Sequence, residues 1–155
     1  MNSTVMRCLG FAFLFGFTLP ILAEEPDKEK AIKDELKKLE GDWKVIGAEA
    51  DGKPLKEDLP PKFTFAGNKF TGFAPDATFT IDPTKKPKYL TIVAKVRDKD
   101  IPVNAIYELE NDQLKIGIPL VEKGKGPDNK RPESFETTGK PIFVFTAKKV
   151  ASEKK

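Results

Sequence analysis

Few side chains in this chain could carry out chemistry, and the residue types that are missing exclude most reactions. The sequence contains no histidine and a single cysteine, Cys8. Without histidine it lacks the usual general base near neutral pH and the commonest metal ligand. Cys8 lies in an apolar stretch that we expect to be removed, so thiolate catalysis and a cysteine-ligated zinc site are also excluded. The composition therefore predicts a protein that is not an enzyme and that needs no metal and no cofactor.

The acidic residues are the remaining candidates for acid–base catalysis. Six of them lie near the ends of predicted strands: Asp42, Glu49, Asp76, Asp82, Asp98 and Asp100. Two of these carboxylates meeting at one end of a barrel would form an acid–base pair. Aspartate also initiates turns, as the pairs Asp51-Gly52 and Asp82-Pro83 indicate. We therefore favour turn formation and keep an enzyme as the last of three hypotheses.

Aromatic residues at alternating positions are candidates for a ligand pocket. We expect five rings to point inward from the strands: Trp43, Phe63, Phe65, Phe79 and Tyr107. Phe65 and Phe79 would line an apolar pocket for a small molecule, and the Tyr107 hydroxyl would supply one polar contact. Structurally, the same rings would fill a narrow barrel. We favour filling, because few small side chains offset the large ones.

The stretch Arg131-Pro132-Glu133-Ser134-Phe135 is the most site-like segment, because it lies in a long polar loop between strands. Arg131 would offer a bidentate fork to a carboxylate ligand at the barrel mouth. In the alternative, Phe135 holds the loop on the core and Arg131 pairs with a nearby acid such as Glu133 or Asp128. We favour this local pairing.

The hydrophobic pattern predicts one helix followed by eight strands. Apolar residues recur at helical spacing over residues 27–39, and from Asp42 onward they alternate with polar residues. Prolines in residues 53–61 exclude regular pairing there. Glycines at positions 47, 72 and 117 would either open space inside the sheet or ease its bending. The predicted strands cover residues 43–50, 62–66, 69–73, 77–81, 89–96, 102–110, 113–118 and 142–148.

These elements predict a mainly β fold, an eight-stranded antiparallel barrel of lipocalin-like (calycin) type with a short N-terminal helix. Closure into a barrel removes exposed strand edges. A two-sheet sandwich is the alternative. The barrel is favoured by Gly41 and Trp43 at the entry of the first strand, where a glycine lets the chain pass beneath an indole that plugs one end.

The N-terminus predicts export. Arg7 precedes an apolar run that ends in a small residue, Ala23. This pattern predicts that residues 1–23 are a cleaved signal peptide; an uncleaved N-terminal anchor is the alternative. Residues 27–150 form one domain and residues 151–155 a tail. Cleavage takes away one base and no acid, so the net charge falls from +3 to about +2, which indicates no nucleic-acid partner. We predict a periplasmic or extracellular protein with no stable membrane span.

Six stretches together resemble a large paralogous family of exported planctomycete domains with a lipocalin-like fold. The resemblance runs from about Leu39 to Lys149 and implies a fold and a compartment, but no activity. In lipocalins, a Gly-x-Trp on the first strand packs beneath an arginine near the end of the last strand. Gly41 and Trp43 match this pair, whereas the last strand offers Lys148 and Lys149. The six stretches are residues 39–43, 51–55, 63–70, 81–87, 106–109 and 131–135.

Two functional hypotheses follow for the barrel. In the leading one, it is a non-enzymatic module that binds a small apolar or amphipathic molecule, with Tyr107 and Arg131 setting the orientation of the ligand. In the alternative, the barrel is filled and its surface contacts another protein of the cell envelope. The size of the internal cavity distinguishes the two, because a small-molecule site needs roughly 300 Å³ or more.

Overall fold

The computed structural model describes residues 26–55, 60–74, 76–96, 99–120 and 130–151. The predicted signal peptide, Asp98, Asp128 and residues 152–155 of the predicted tail lie outside this part of the chain. All described strands belong to a single sheet, on which the helix packs.

The helix α1 spans Pro26–Leu39, one residue longer than predicted. Proline is well suited to the first helical position because its missing N–H needs no partner there. Acidic residues in the first turn and lysines in the last turn complement the helix dipole. Gly41, with φ +119°, turns the chain directly into the sheet. No helix in the described part of the chain has the length and apolar character needed to cross a membrane.

The sheet is a closed antiparallel barrel, which confirms the predicted fold. Eight strands form the barrel, and one additional short strand extends its edge at β1. Closure comes from β1 and β9, which pair from Trp43↔Lys149 to Ala50↔Phe143 and so exclude a two-sheet sandwich. The strands are β1 Gly41–Ala50, β2 Lys53–Pro54, β3 Lys62–Ala66, β4 Lys69–Thr71, β5 Ala77–Asp82, β6 Lys88–Val96, β7 Lys99–Glu110, β8 Gln113–Pro119 and β9 Ile142–Lys149.

The extra strand β2 corrects the expectation that prolines keep residues 53–61 out of the sheet. Lys53 and Pro54 pair with Ala50 and Glu49 at the end of β1. This is possible because β3 pairs only with residues 41–44 of β1 and leaves the far end of that edge open. A proline is tolerated on such an edge strand, where one face of its backbone needs no partner.

The interior of the barrel is packed with aromatic rings. Phe65 and Phe79 lie 4.7 Å apart between ring centroids, and Phe73 stacks on Phe145 at 4.9 Å. Ring pairs at these distances in tilted or offset arrangements attract one another beyond the burial of their area. Most of these side chains are almost fully buried: Trp43, Phe63, Phe65, Phe70, Phe79, Tyr107 and Phe145.

Two of the three glycines considered from sequence, Gly72 and Gly117, allow close packing of the chain and open no space inside the barrel. Gly72 adopts φ +117°, and a Cβ built there would lie 2.6 Å from the carbonyl oxygen of Lys62, so the chain can cross β3 only at a glycine. Gly117 faces outward, where a Cβ would lie 3.3 Å from Phe135 and closer still to Ile106 and Ile142. It therefore makes room outside the barrel.

Candidate functional site

A segment on the outside of the barrel, residues 130–140, which we call the outer strap, carries the site-like stretch of the sequence. Its first fixed point is Arg131, whose guanidinium lies on the outer face of β6 and β7. Nη1 donates to the carbonyl oxygens of Leu90, at 2.8 Å, and Ala105. Nη2 donates to Thr91 Oγ1 at 2.8 Å and to Asn104 Oδ1 at 3.0 Å. Four hydrogen bonds thus bind Arg131 to the sheet.

Stacking and burial complete the environment of Arg131. Its guanidinium carbon lies 4.3 Å from the centroid of the Tyr89 ring, a favourable cation–π geometry. Burial lowers the pKa of the guanidinium below its ordinary value, although an arginine remains charged under all ordinary conditions. The sequence analysis expected Arg131 to meet either a ligand carboxylate at the barrel mouth or a nearby acid. Arg131 instead donates its hydrogen bonds to backbone and side-chain oxygens of β6 and β7, an arrangement that neither expectation included.

The middle of the outer strap covers a small apolar cluster outside the barrel. Phe135 packs on the outward face of Gly117, beside Ile106 and Ile142. Both isoleucines are buried although neighbouring residues of their strands face the core. The Lys115 ammonium lies 5.0 Å from the centroid of the Phe135 ring. The predicted role of Phe135 in holding the loop thus operates on the outer face of the sheet.

The end of the outer strap is bonded to the β1–β2 turn. Thr137 is buried, and its hydroxyl accepts a hydrogen bond from the Gly52 amide at 3.0 Å while donating to Glu49. The Gly139 amide donates to Asp51 Oδ1 at 3.0 Å. The strap is therefore fixed at both ends and in the middle.

A cavity of about 280 Å³ lies between the outer strap and the barrel. It is bounded by Pro119 and Leu120 at the end of β8, by residues 130–134 and by residues 140–142. A second, wider depression of about 1000 Å³ lies on the surface where β1 begins and β9 ends. Neither cavity is lined by the inward-facing aromatic rings.

A polar cluster lies where α1 covers one end of the barrel. The Glu35 carboxylate is buried and forms ion pairs with Lys88 and, at 3.5 Å, with Lys38. The Lys88 ammonium lies 5.7 Å from the centroid of the Tyr107 ring. The Tyr107 hydroxyl is buried and has no hydrogen-bond partner among the described residues. Burial, and then the charge of Glu35, raise the pKa of this phenol above its ordinary value.

Trp43 occupies the same end of the barrel. Its indole is fully buried, and Nε1 donates to the carbonyl oxygen of Leu39, the last residue of α1, at 2.7 Å. Lys149 lies over the indole, with its ammonium 5.6 Å from the centroid, and donates to the carbonyl oxygen of Lys38 at 2.7 Å. A lysine of the last strand thus lies where the lipocalin resemblance implies an arginine.

Three of the carboxylates considered for catalysis, Asp42, Glu49 and Asp82, have structural partners. Asp82 Oδ1 accepts hydrogen bonds from the amide and hydroxyl of Thr84, and Oδ2 pairs with Lys28 at 3.3 Å. The Thr84 hydroxyl and these other contacts lower the pKa of Asp82. Asp42 accepts a hydrogen bond from Thr64 at 2.6 Å. Within the described ranges, no group of three or more acidic or sulfur side chains is placed to hold a metal ion.

The structure separates the residues that the sequence analysis grouped as one candidate site. Phe65, Phe79 and Tyr107 lie inside the barrel, whereas Arg131 lies outside it. Two residues with structural roles were not identified from the sequence, Glu35 and Thr137. Glu35 lies four residues after Ala31 and four before Leu39 of the apolar stripe, and this helical spacing was the available signal that it faces the barrel. Thr137 bonds across 85 residues to Gly52, a contact without any local sequence pattern.

Comparisons of the chain with protein-family models, with curated proteins and with solved structures give no match. The function therefore has to be argued from the geometry of the barrel and of the outer strap.

Proposed function

We propose that this chain is a non-enzymatic, exported interaction domain, in which a filled barrel is the scaffold and the outer strap forms the contact surface for another protein of the cell envelope. The observation that carries the proposal is the packing of aromatic rings inside the barrel. Phe65 and Phe79, the residues considered as pocket lining, contact each other at 4.7 Å between centroids. A barrel whose centre is occupied by its own side chains acts through its surface.

The outer strap supports this interpretation because it is held in a defined position on the outer face of the barrel. Four hydrogen bonds from Arg131 and two at Thr137 hold it. Ordered loops on a rigid scaffold are the usual place for binding residues. The strap also borders a cavity that includes an exposed leucine, Leu120.

A photo-crosslinking amino acid at Leu120 tests the contact surface in cells that naturally produce the protein. We expect an adduct of defined mass at Leu120 and none at Thr71, an exposed position on β4, which pairs with β3 and β5. Equal adducts at both positions, or none at either, would contradict the proposal. Export is tested separately by N-terminal sequencing of the mature protein, which we expect to begin at Glu24.

A small molecule inside the barrel is the second candidate function, and one observation favours it. The Tyr107 hydroxyl is buried without a described hydrogen-bond partner, and a bound polar group would satisfy it. Native mass spectrometry of protein purified from its own cells distinguishes the candidates. A bound mass that disappears in Tyr107→Phe would support the small-molecule function, whereas the bare polypeptide mass is expected for a filled scaffold.

A further inference from the structure

Three lysines lie side by side across the outer face of the barrel, and we call this group the lysine row: Lys62 on β3, Lys44 on β1 and Lys148 on β9. Lys44 is directly opposite Lys62 in one strand pair and directly opposite Lys148 in the other. All three side chains are exposed. Like charges directly opposite each other on neighbouring strands destabilise a sheet. The lysine row is therefore unfavourable for the protein by itself.

The charges of the lysine row are not compensated within the described part of the chain. None of the three ammonium groups forms an ion pair with a described acid. In the same register, the row continues with Gln113 on β8, and an acid, Glu110, follows only on β7. Elsewhere on the outer face, Lys115 lies directly opposite Glu108. The lysine row thus lacks a counter-charge, which a bound anion would supply.

The surroundings of the lysine row indicate a narrow ligand. Acidic residues lie beside it, around the wide depression where β1 begins: Glu40, Asp42 and Asp112. A flat anionic surface such as a bilayer would meet these carboxylates together with the lysines. A single extended chain can follow the row across the strands and avoid the acids. The charge pattern therefore favours a linear polyanion over a membrane.

The spacing within the lysine row favours a polysaccharide over an acidic peptide. Neighbouring strands lie about 4.8 Å apart, which is close to the length of one sugar unit in an extended polysaccharide. In an extended peptide only every second residue faces the same way, at about 6.6 Å, so its carboxylates recur less closely. Lysine also has a flexible stem, which can follow carboxylates that alternate between two sides of a sugar chain.

We infer that the lysine row binds an acidic polysaccharide, a chain in which each sugar unit carries a carboxylate. The chain would lie across β3, β1 and β9, with its carboxylates paired to the three ammonium groups, and Gln113 would donate to a sugar oxygen. The row lies near the beginning of β1, whereas the outer strap is bonded to the turn that follows the end of β1. The inference therefore goes beyond the proposed function and does not depend on it.

The probe is a size-defined oligomannuronate that is long enough to cross three strands, titrated calorimetrically into the full mature protein at low ionic strength. We expect saturable binding that weakens with added salt, and no binding of a neutral manno-oligosaccharide of the same length. Lys44→Gln removes the middle charge and should weaken binding about three- to fivefold, as for the loss of one exposed ion pair. Lys69→Gln, at an exposed position of β4, is the matched control and should bind as the wild type does.

Two triple variants separate the row from the net charge of the protein. One replaces all three lysines of the row by glutamine, and the other replaces three scattered exposed lysines, Lys30, Lys69 and Lys85. Both lose the same charge, but only the first should lose detectable binding. Urea unfolding gives a second readout: Lys44→Gln should raise the midpoint, because it removes repulsion between neighbouring strands, although it weakens binding. A purely structural role of Lys44 would not produce this opposition.

Four outcomes would overturn the inference. Absence of saturable binding would remove the ligand, and equal weakening by the two triple variants would assign the binding to net charge. Binding of phosphatidylglycerol vesicles without binding of the oligomannuronate would identify a membrane surface. A lower urea midpoint in Lys44→Gln would show that the lysine row stabilises the sheet. The crosslink at Leu120 tests the proposed function separately, and each of these failures leaves it unchanged.

Discussion

Trp43 and Tyr107 are both buried aromatic residues with one polar atom, and the two polar atoms differ in their hydrogen bonding. The Trp43 N–H has a partner at the end of α1, whereas the Tyr107 hydroxyl has none among the described residues. A buried polar group without a partner retains its full desolvation cost. Trp43 is therefore expected to stabilise the fold with all of its atoms, and Tyr107 with its ring alone.

Trp43→Ala should lower the free energy of unfolding by about 3–5 kcal/mol, the usual range for truncation of a buried aromatic residue. Trp43→Phe keeps part of the ring and loses the bond to Leu39, so its effect should be smaller. Urea unfolding followed by circular dichroism measures both, since the variants lack the only tryptophan. A loss below about 1 kcal/mol for Trp43→Ala would show that the indole does not plug the barrel.

Tyr107→Phe should leave stability at neutral pH unchanged or raise it by up to about 1 kcal/mol, because it removes an unsatisfied hydroxyl. Its second effect appears in alkali. The pKa of Tyr107 is raised in the folded protein. Its contribution to the free energy of unfolding is therefore complete below the ordinary pKa of 10.0 and is lost as the pH rises above that value. The variant should therefore lose less stability than the wild type between pH 7 and pH values above about 10. Equal losses in urea titrations would contradict this.

Helix α1 is held on the barrel by side chains as well as by its apolar stripe. Glu35 pairs with Lys88, Lys28 pairs with Asp82, and Lys149 and Trp43 donate to backbone carbonyls of its last turn. The last turn of a helix has free carbonyls that need such donors. The helix is therefore part of the closed end of the barrel.

Glu35→Gln should destabilise the protein by about 1–3 kcal/mol, because it leaves the partly buried Lys88 without its charged partner. Asp34→Asn changes the neighbouring exposed carboxylate and should stay within about 0.5 kcal/mol of the wild type. Urea unfolding gives the free energies, and amide hydrogen exchange should be faster throughout α1 in Glu35→Gln only. Similar behaviour of the two variants would mean that the ion pair does not hold the helix.

Arg131 holds the beginning of the outer strap on β6 and β7. Arg131→Lys retains the charge but loses the planar fork and the stacking on Tyr89, so we expect a loss of about 1–3 kcal/mol. Hydrogen exchange should accelerate at Gly139, whose amide bonds to Asp51. Lys99→Gln, at an exposed position of β7, serves as the control. Unchanged exchange at Gly139 would indicate that the strap does not need Arg131.

At the scale of the whole molecule, helix and strap are both fixed to one continuous sheet without a free seam between β1 and β9. We therefore expect a single cooperative unfolding transition, as in most domains of this size. The fluorescence of Trp43 reports the end under α1, and far-ultraviolet circular dichroism reports the whole sheet. Their urea midpoints should coincide, and an earlier fluorescence change would show that the helix end opens by itself.

Most of the fold could be predicted because its signals are local. Seven of the eight barrel strands were predicted to within two residues at either end, from the alternation of apolar and polar residues and from the turn residues between strands. The exception is β7, which begins at Lys99, three residues earlier than predicted. The exclusion of Pro54 from the sheet was wrong, because an edge position decides whether a proline can pair, and edges are a property of the assembled sheet.

By itself, the sequence determined the strand pattern, the helix, the shortage of catalytic residue types and the inward direction of the aromatic rings, since each depends on residue type and short-range spacing. Tertiary structure alone decided that rings from strands that are not neighbours in the sheet touch inside the barrel, that Arg131 lies on the outer face of the sheet and that Thr137 meets the β1–β2 turn. These contacts join residues far apart in the chain. Their positions follow from how the closed sheet brings strands together, for which no short segment carries a signal.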